Sequence, residues 1–140
     1  MNDRRALTAA YRAARYLVLL DEGPLELGIG VRSRAGEARL AAATGGQHWA
    51  LVTPCNPGSA GLTDDENQRL YNRMRGELEA MSQAWKPTLH RDPLGLWPDE
   101  AGFLLIEPPP GRAAALGRLY RQNALVLLRS GSAPELQWLD

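Results

Sequence analysis

The sequence predicts an α/β or α+β protein: a single mixed β-sheet of about six strands with helices packed on it. Three observations carry that expectation. Apolar segments of strand length alternate with segments of helical spacing; hairpin-like pairs stand near both ends; and no repeat, linker or low-complexity tract breaks the order. The chain has 140 residues, which fits one globular domain, 1–140.

The elements follow in order. Over residues 4–15, Leu7, Ala10, Tyr11 and Ala14 fall at helical spacing with arginines elsewhere around the wheel. Residues 16–20 read as a buried strand, 21–24 as a turn, and 25–29 as a second strand with period two, together a hairpin. A short helix over 35–44 has Ser33 as its cap and Gly45-Gly46 as its stop. Residues 48–53 read as a strand that runs into the loop Pro54-Cys55-Asn56-Pro57-Gly58-Ser59-Ala60-Gly61.

Thr63 and Glu66 have the spacing of a capping box, and Asp64 and Asp65 complement the helix dipole beside it. Leu70, Tyr71, Met74, Leu78, Met81 and Trp85 recur at three- and four-residue intervals, which predicts one long helix ended by Lys86-Pro87. Residues 90–100 read as irregular. A strand at 102–106, a helix at 112–120, a buried strand at 124–128 and a final strand at 135–139 complete the chain.

Composition narrows the setting. Sixteen basic and sixteen acidic residues leave no formal net charge, so a reading built on a strongly basic nucleic-acid surface has no support. The charges are unevenly placed: the long helix opens on a run of acids, while residues 111–129 hold four arginines and no acid. Cys55 is the only cysteine, so no intrachain disulfide forms, which favours a reducing compartment. No apolar secretory segment follows the first residues and no run approaches the length of a membrane span, so a cytoplasmic protein is expected.

Two stretches could carry chemistry. The first is the loop 53–61, at a strand-to-helix junction where such folds tend to place ligands; Asn56 and Ser59 are its polar side chains. A phosphate there would face Asp64, Asp65 and Glu66, and no Gly-Lys-Ser/Thr follows, so a phosphate loop is not expected. The second stretch is His90-Arg91-Asp92 with Trp97, Asp99 and Glu100. His-Arg-Asp has no companion kinase motifs, and His48, His90 and Cys55 match no metal pattern, so neither a metal nor a cofactor is expected. Glu100, between Trp97 and a buried strand, could have its pKa raised by burial and so suit acid–base work. A lone cysteine just after a strand reads as a small buried hydrophobe.

Several segments in this order resemble a family of small bacterial proteins, domain of unknown function 3293. The resemblance rests on Ala10-Tyr11-Arg12-Ala13, on 53–59, on Leu62-Thr63-Asp64-Asp65-Glu66-Asn67, on Trp97-Pro98-Asp99-Glu100 and on Gln122-Asn123-Ala124. It implies no activity, but it implies that the Asn-Pro loop, Glu100 and Gln122 belong to one surface. Departures are Cys55 where an aromatic residue is usual, Gly102 where serine is, and Arg121 where glycine is.

The leading expectation is a binding or interaction module for a small polar ligand or a protein partner. The alternative is an enzyme on a small polar substrate, with Glu100 as acid–base and Asn56, Ser59 and Gln122 orienting the substrate; Trp97 is a further ligand-binding candidate. The enzyme reading requires Glu100 beside Asn56 and Gln122 in one concave pocket. Self-association through the 135–139 strand, at Trp138, or through the helix face of Met74 and Met81 is a third possibility.

Overall fold

The computed structural model describes residues 3–95 and 97–139. Four helices, α1 (Arg4–Ala13), α2 (Arg34–Thr44), α3 (Asp64–Ala80) and α4 (Arg112–Leu119), accompany seven strands. The strands are β1 (Arg15–Leu20), β2 (Gly23–Leu27), β3 (His48–Val52), β4 (Trp85–Arg91), β5 (Glu100–Ile106), β6 (Ala124–Arg129) and β7 (Glu135–Trp138). They form one curled sheet, a half-barrel, in the order β2-β1-β4-β5-β3-β6-β7.

The expected class of helices on a single sheet is the one found, with seven strands where about six were anticipated. The pairing differs from the expected mixture: every neighbouring pair is antiparallel. The cause is in the crossovers. The connection β3–α3–β4 returns a parallel strand with β5 slotted between, and β5–α4–β6 does the same around β3. Helix-linked strands therefore never become neighbours.

The seventh strand is β4, which sequence spacing had assigned to the end of the long helix. That helix stops at Ala80, where Ser82 takes a left-handed φ of 55° and Gln83 N donates to Leu78 O. Trp85 continues the helical spacing by coincidence, and Pro87 reads as a breaker. In the sheet, Pro87 lies just beyond the last β1–β4 pair, Val18–Thr88, where β4 has β5 alone as a neighbour. Proline is tolerated in such an edge situation.

Alternation along the strands divides the core in two. On one face Val52, Phe103 and Leu105 pack against Met74 and Leu78 of α3 and Leu116 of α4. Of the helix face offered by sequence for self-association, Met74 is fully buried in this core while Met81, at the helix end, is exposed. On the other face Tyr16, Val18, Leu51, Leu104 and Val126 join Leu40 of α2 and Trp49, whose indole donates to Thr44 Oγ1 at 2.9 Å.

The two outer strands of this curled sheet are bridged. Gly30 N, beyond β2, donates to Pro134 O, before β7, at 2.9 Å. At the other end α1 spans the opening: Tyr16 OH of β1 donates to Tyr11 O, while the Tyr11 ring meets Trp138 of β7 edge-on at 5.8 Å. Arg4 lies over the same indole, 4.4 Å from its centroid. Cation–π and edge contacts of this kind each add roughly 0.5–1.5 kcal/mol. No helix among the described residues is long and apolar enough to cross a membrane.

Candidate functional site

Beneath α1 the sheet leaves a cavity of about 160 Å³. Its walls are Leu7, Ala10, Tyr11 and Ala14 of α1, Tyr16 of β1, Leu51 of β3, and Ala124 and Val126 of β6. Its polar lining comes from Glu100, His90, Gln122, Asn56 and Ser59, with Trp97 and Pro98 at the 92–98 loop. Trp97 is 46% exposed, so it stands at the rim. Asp92 shapes that loop by accepting from Leu94 N and Trp97 N.

Strand register builds the polar row. Tyr16 is paired with His90 across β1–β4, and His90 with Glu100 across β4–β5, so all three side chains share the cavity face. The His90 ring meets Tyr16 edge-on at 5.0 Å, and its Nε2 is 3.0 Å from Thr88 Oγ1. Burial lowers the His90 pKa to about 4, so the ring is neutral at physiological pH. Gly102 makes this possible. A Cβ there would stand 2.7 Å from Val52 O, 2.9 Å from His90 Nε2 and 2.9 Å from Thr88 Oγ1.

Glu100 opens β5 and is the carboxyl of the site. Its Oε2 accepts from Asn56 Nδ2 at 2.7 Å, and its Oε1 has no protein partner among the described residues. Burial raises its pKa, and the Asn56 amide opposes that rise by stabilising the carboxylate. Tyr11 is pushed up to about 12, by burial first and then by the nearby Glu100 carboxylate, with Ser59 opposing. Tyr16 is raised by burial in the same way.

The loop 53–61 is braced on three sides. Thr53 Oγ1 donates to Ala101 O at 2.8 Å and accepts from Cys55 N. Asn56, in a left-handed conformation with φ 48°, exchanges two 2.9 Å bonds with the Asn67 amide of α3, and its Oδ1 also accepts from Leu62 N. The junction after α4 supplies the rest: Gly58 N donates to Arg121 O, Gln122 Nε2 to Cys55 O, and Asn123 Nδ2 to Ser59 Oγ.

The structure thus brings Glu100, Asn56, Ser59, Gln122 and Trp97 to one cavity, but with unequal parts. Asn56 is 6% exposed and spends its carbonyl on Leu62 and Asn67, so it holds Glu100 in place. Ser59 and Gln122 direct one group each at the protein frame. Sequence reasoning missed Tyr11, Tyr16 and Asn67 as site residues and gave His90 no part in the site beyond its place in the 90–100 stretch. Their convergence depends on the register of β4, which its polar, proline-bearing sequence concealed. The signal available was the Glu66-Asn67 helix start and the Tyr11 anchor.

The sequence departures have structural explanations. Cys55 is buried, its Sγ is 3.4 Å from Ala101 O, and burial raises its thiol, all of which disfavour a thiolate nucleophile. Arg121 adopts φ 55°, a left-handed turn position at which glycine is unstrained. At the start of α3 the capping box is formed, Thr63 N to Glu66 Oε1 and Glu66 N to Thr63 Oγ1, which occupies the donors an anion would need. Among the described residues no three His, Cys, Asp or Glu side chains converge as metal ligands.

Neither a curated protein nor a solved structure matches the chain. A family model described as a protein of unknown function, DUF3293, matches residues 52–125, the segment from the end of β3 into β6.

Proposed function

The chain belongs to this family of unknown function, and from its geometry we propose that it binds a small molecule in the cavity between α1 and the sheet, with Glu100 as the group that meets the ligand's polar end. One observation carries the reading: a buried carboxyl, held through one oxygen by Asn56, turns its other oxygen to a largely apolar space. Small-molecule sites combine such apolar walls with a few fixed polar groups. A protein gains no stability from leaving a carboxyl this dry, so the group's use is in binding. The lone buried thiol Cys55 agrees with a cytoplasmic setting.

The test is a plug. Ala10→Phe adds a ring at a position that lines the cavity from α1 and leaves the Glu100 side chain itself unchanged. Ligand-observed NMR with a fragment library is expected to give hits on the wild type that this variant loses while its Tm holds or rises. Hits that survive the plug would overturn the reading.

A second reading, catalysis, is favoured by the raised Glu100 beside the neutral His90, since a carboxyl shifted toward neutrality can accept and return a proton. Asn56 would position that carboxyl and Gln122 would orient substrate. Incubating a metabolite extract with wild type and with Glu100→Gln separates the two readings. Conversion by the wild type alone supports catalysis, and no conversion by either leaves binding as the function.

A further inference from the structure

We propose that the ligand is a small amine, an ammonium group on an apolar body about the size of one six-membered ring. The inference rests on the cavity reading above and specifies its chemistry.

Charge balance comes first. Glu100 receives one amide hydrogen bond and has no cationic side chain paired with it among the described residues. Arg91, the cation that lines the cavity, has its Nε 3.3 Å from Asp99 Oδ2. His90 is kept neutral by burial. A buried carboxylate without a countercharge is costly, and a ligand cation is the partner that removes the cost.

The rest of the polar lining agrees. Gln122 spends its NH2 on Cys55 O and Tyr120 O, which leaves its carbonyl as an acceptor. That carbonyl and Glu100 Oε1 are two acceptors in one lining for the N–H groups of an ammonium. The rings of Tyr11, Tyr16 and Trp97 belong to residues that line the same space, and aromatic rings attract ammonium groups.

Size follows from volume. An apolar cavity of roughly 150 Å³ accommodates benzene, and this one is about 160 Å³. A polyamine, nucleotide or peptide is too large for it unless most of the molecule stays outside.

The experiment is a titration by calorimetry or NMR with matched pairs: benzylamine against benzyl alcohol, and cyclohexylamine against cyclohexanol, with benzoate as the anionic control. The wild type is expected to bind each amine at least ten times more tightly than its alcohol and to ignore benzoate. Glu100→Gln is expected to abolish that preference by weakening the amines to the level of their alcohols, and Ala10→Phe is expected to abolish binding of both. Alcohols binding as well as amines, or an amine preference that survives Glu100→Gln, would overturn the amine assignment and leave the cavity reading standing. No binding by any member of the panel would overturn both.

Discussion

The concave face of the sheet has two ends, built differently. Under α2, Leu40, Trp49, Leu27 and Leu128 pack around a residual space of about 20 Å³. Under α1 the same sheet leaves about 160 Å³ and lines it with a carboxyl, an imidazole and two phenols. One end is optimised for packing. The other gives up packing, and it does so where the register places Tyr16, His90 and Glu100 in a row. Tight packing and the polar-lined cavity lie at opposite ends of one face.

The largest expected effect tests that division directly. Leu40→Ala removes a side chain that is 1% exposed in the tight end and should cost about 4 kcal/mol. Leu7→Ala, whose side chain already borders the cavity, should cost about half as much, because no new void is opened in a closed core. Urea denaturation of both variants measures the difference. Equal costs would mean that the α1 end is as tightly packed as the other.

Next comes acid. His90 has a folded pKa of about 4 against an unfolded value near 6.5, so the unfolded chain takes up a proton that the folded chain refuses. Stability is therefore lost as pH falls from 6.5 toward 4, on the order of 3 kcal/mol when complete. Glu100 drifts the other way. Its raised folded pKa favours the folded state at low pH, and that contribution is lost as pH rises through the folded value. Measuring the pH dependence in Glu100→Gln and then in Glu100→Gln/His90→Asn isolates the histidine, and the acid-side loss should disappear with the ring.

Gly102→Ala comes third, at about 2 kcal/mol of destabilisation, because the added carbon meets the backbone oxygen of Val52 as well as the side chains of His90 and Thr88. The imidazole NMR signals should shift in the same variant, showing that His90 has moved. The smallest effect has the opposite sign. Glu100→Gln should raise Tm more at alkaline than at acid pH, because the contribution of the raised folded pKa is lost as pH rises. A stabilising substitution that also removes the preference for amines would support the carboxyl being kept for function.

Much of the fold was legible in the chain because period and punctuation agree in most elements. The Thr63–Glu66 box, the β1–β2 hairpin and the strand of Phe103 to Ile106 stand where spacing put them, within two residues. What failed was β4. Its burial alternates weakly, it contains Pro87, and Trp85 falls on the stripe of the preceding helix, so three local cues pointed away from a strand that only its neighbours β1 and β5 stabilise. The site was legible by half for the same reason. Asn56, Ser59, Trp97, Glu100 and Gln122 could be picked out as polar or aromatic residues at junctions, whereas the Tyr16–His90–Glu100 row exists only through pairing across three strands. Whether a polar residue holds another residue or faces a ligand is decided by bonds such as Asn56 to Asn67, which no spacing encodes.

The bridge that α1 makes has a consequence for how the binding site comes into being. Its anchoring contacts join Tyr11 to Trp138 and Arg4 to Trp138, residues separated by almost the whole chain. Contacts of such sequence separation carry the largest loop-closure cost and tend to form late. During synthesis α1 must wait for β7 to leave the ribosome before it can make these contacts. The sheet's tight end can settle before that, but the cavity is roofed only once β7 has emerged. A ligand that stabilises the docked helix would therefore act on the final step of maturation, and its supply in the cell would influence how much finished protein accumulates.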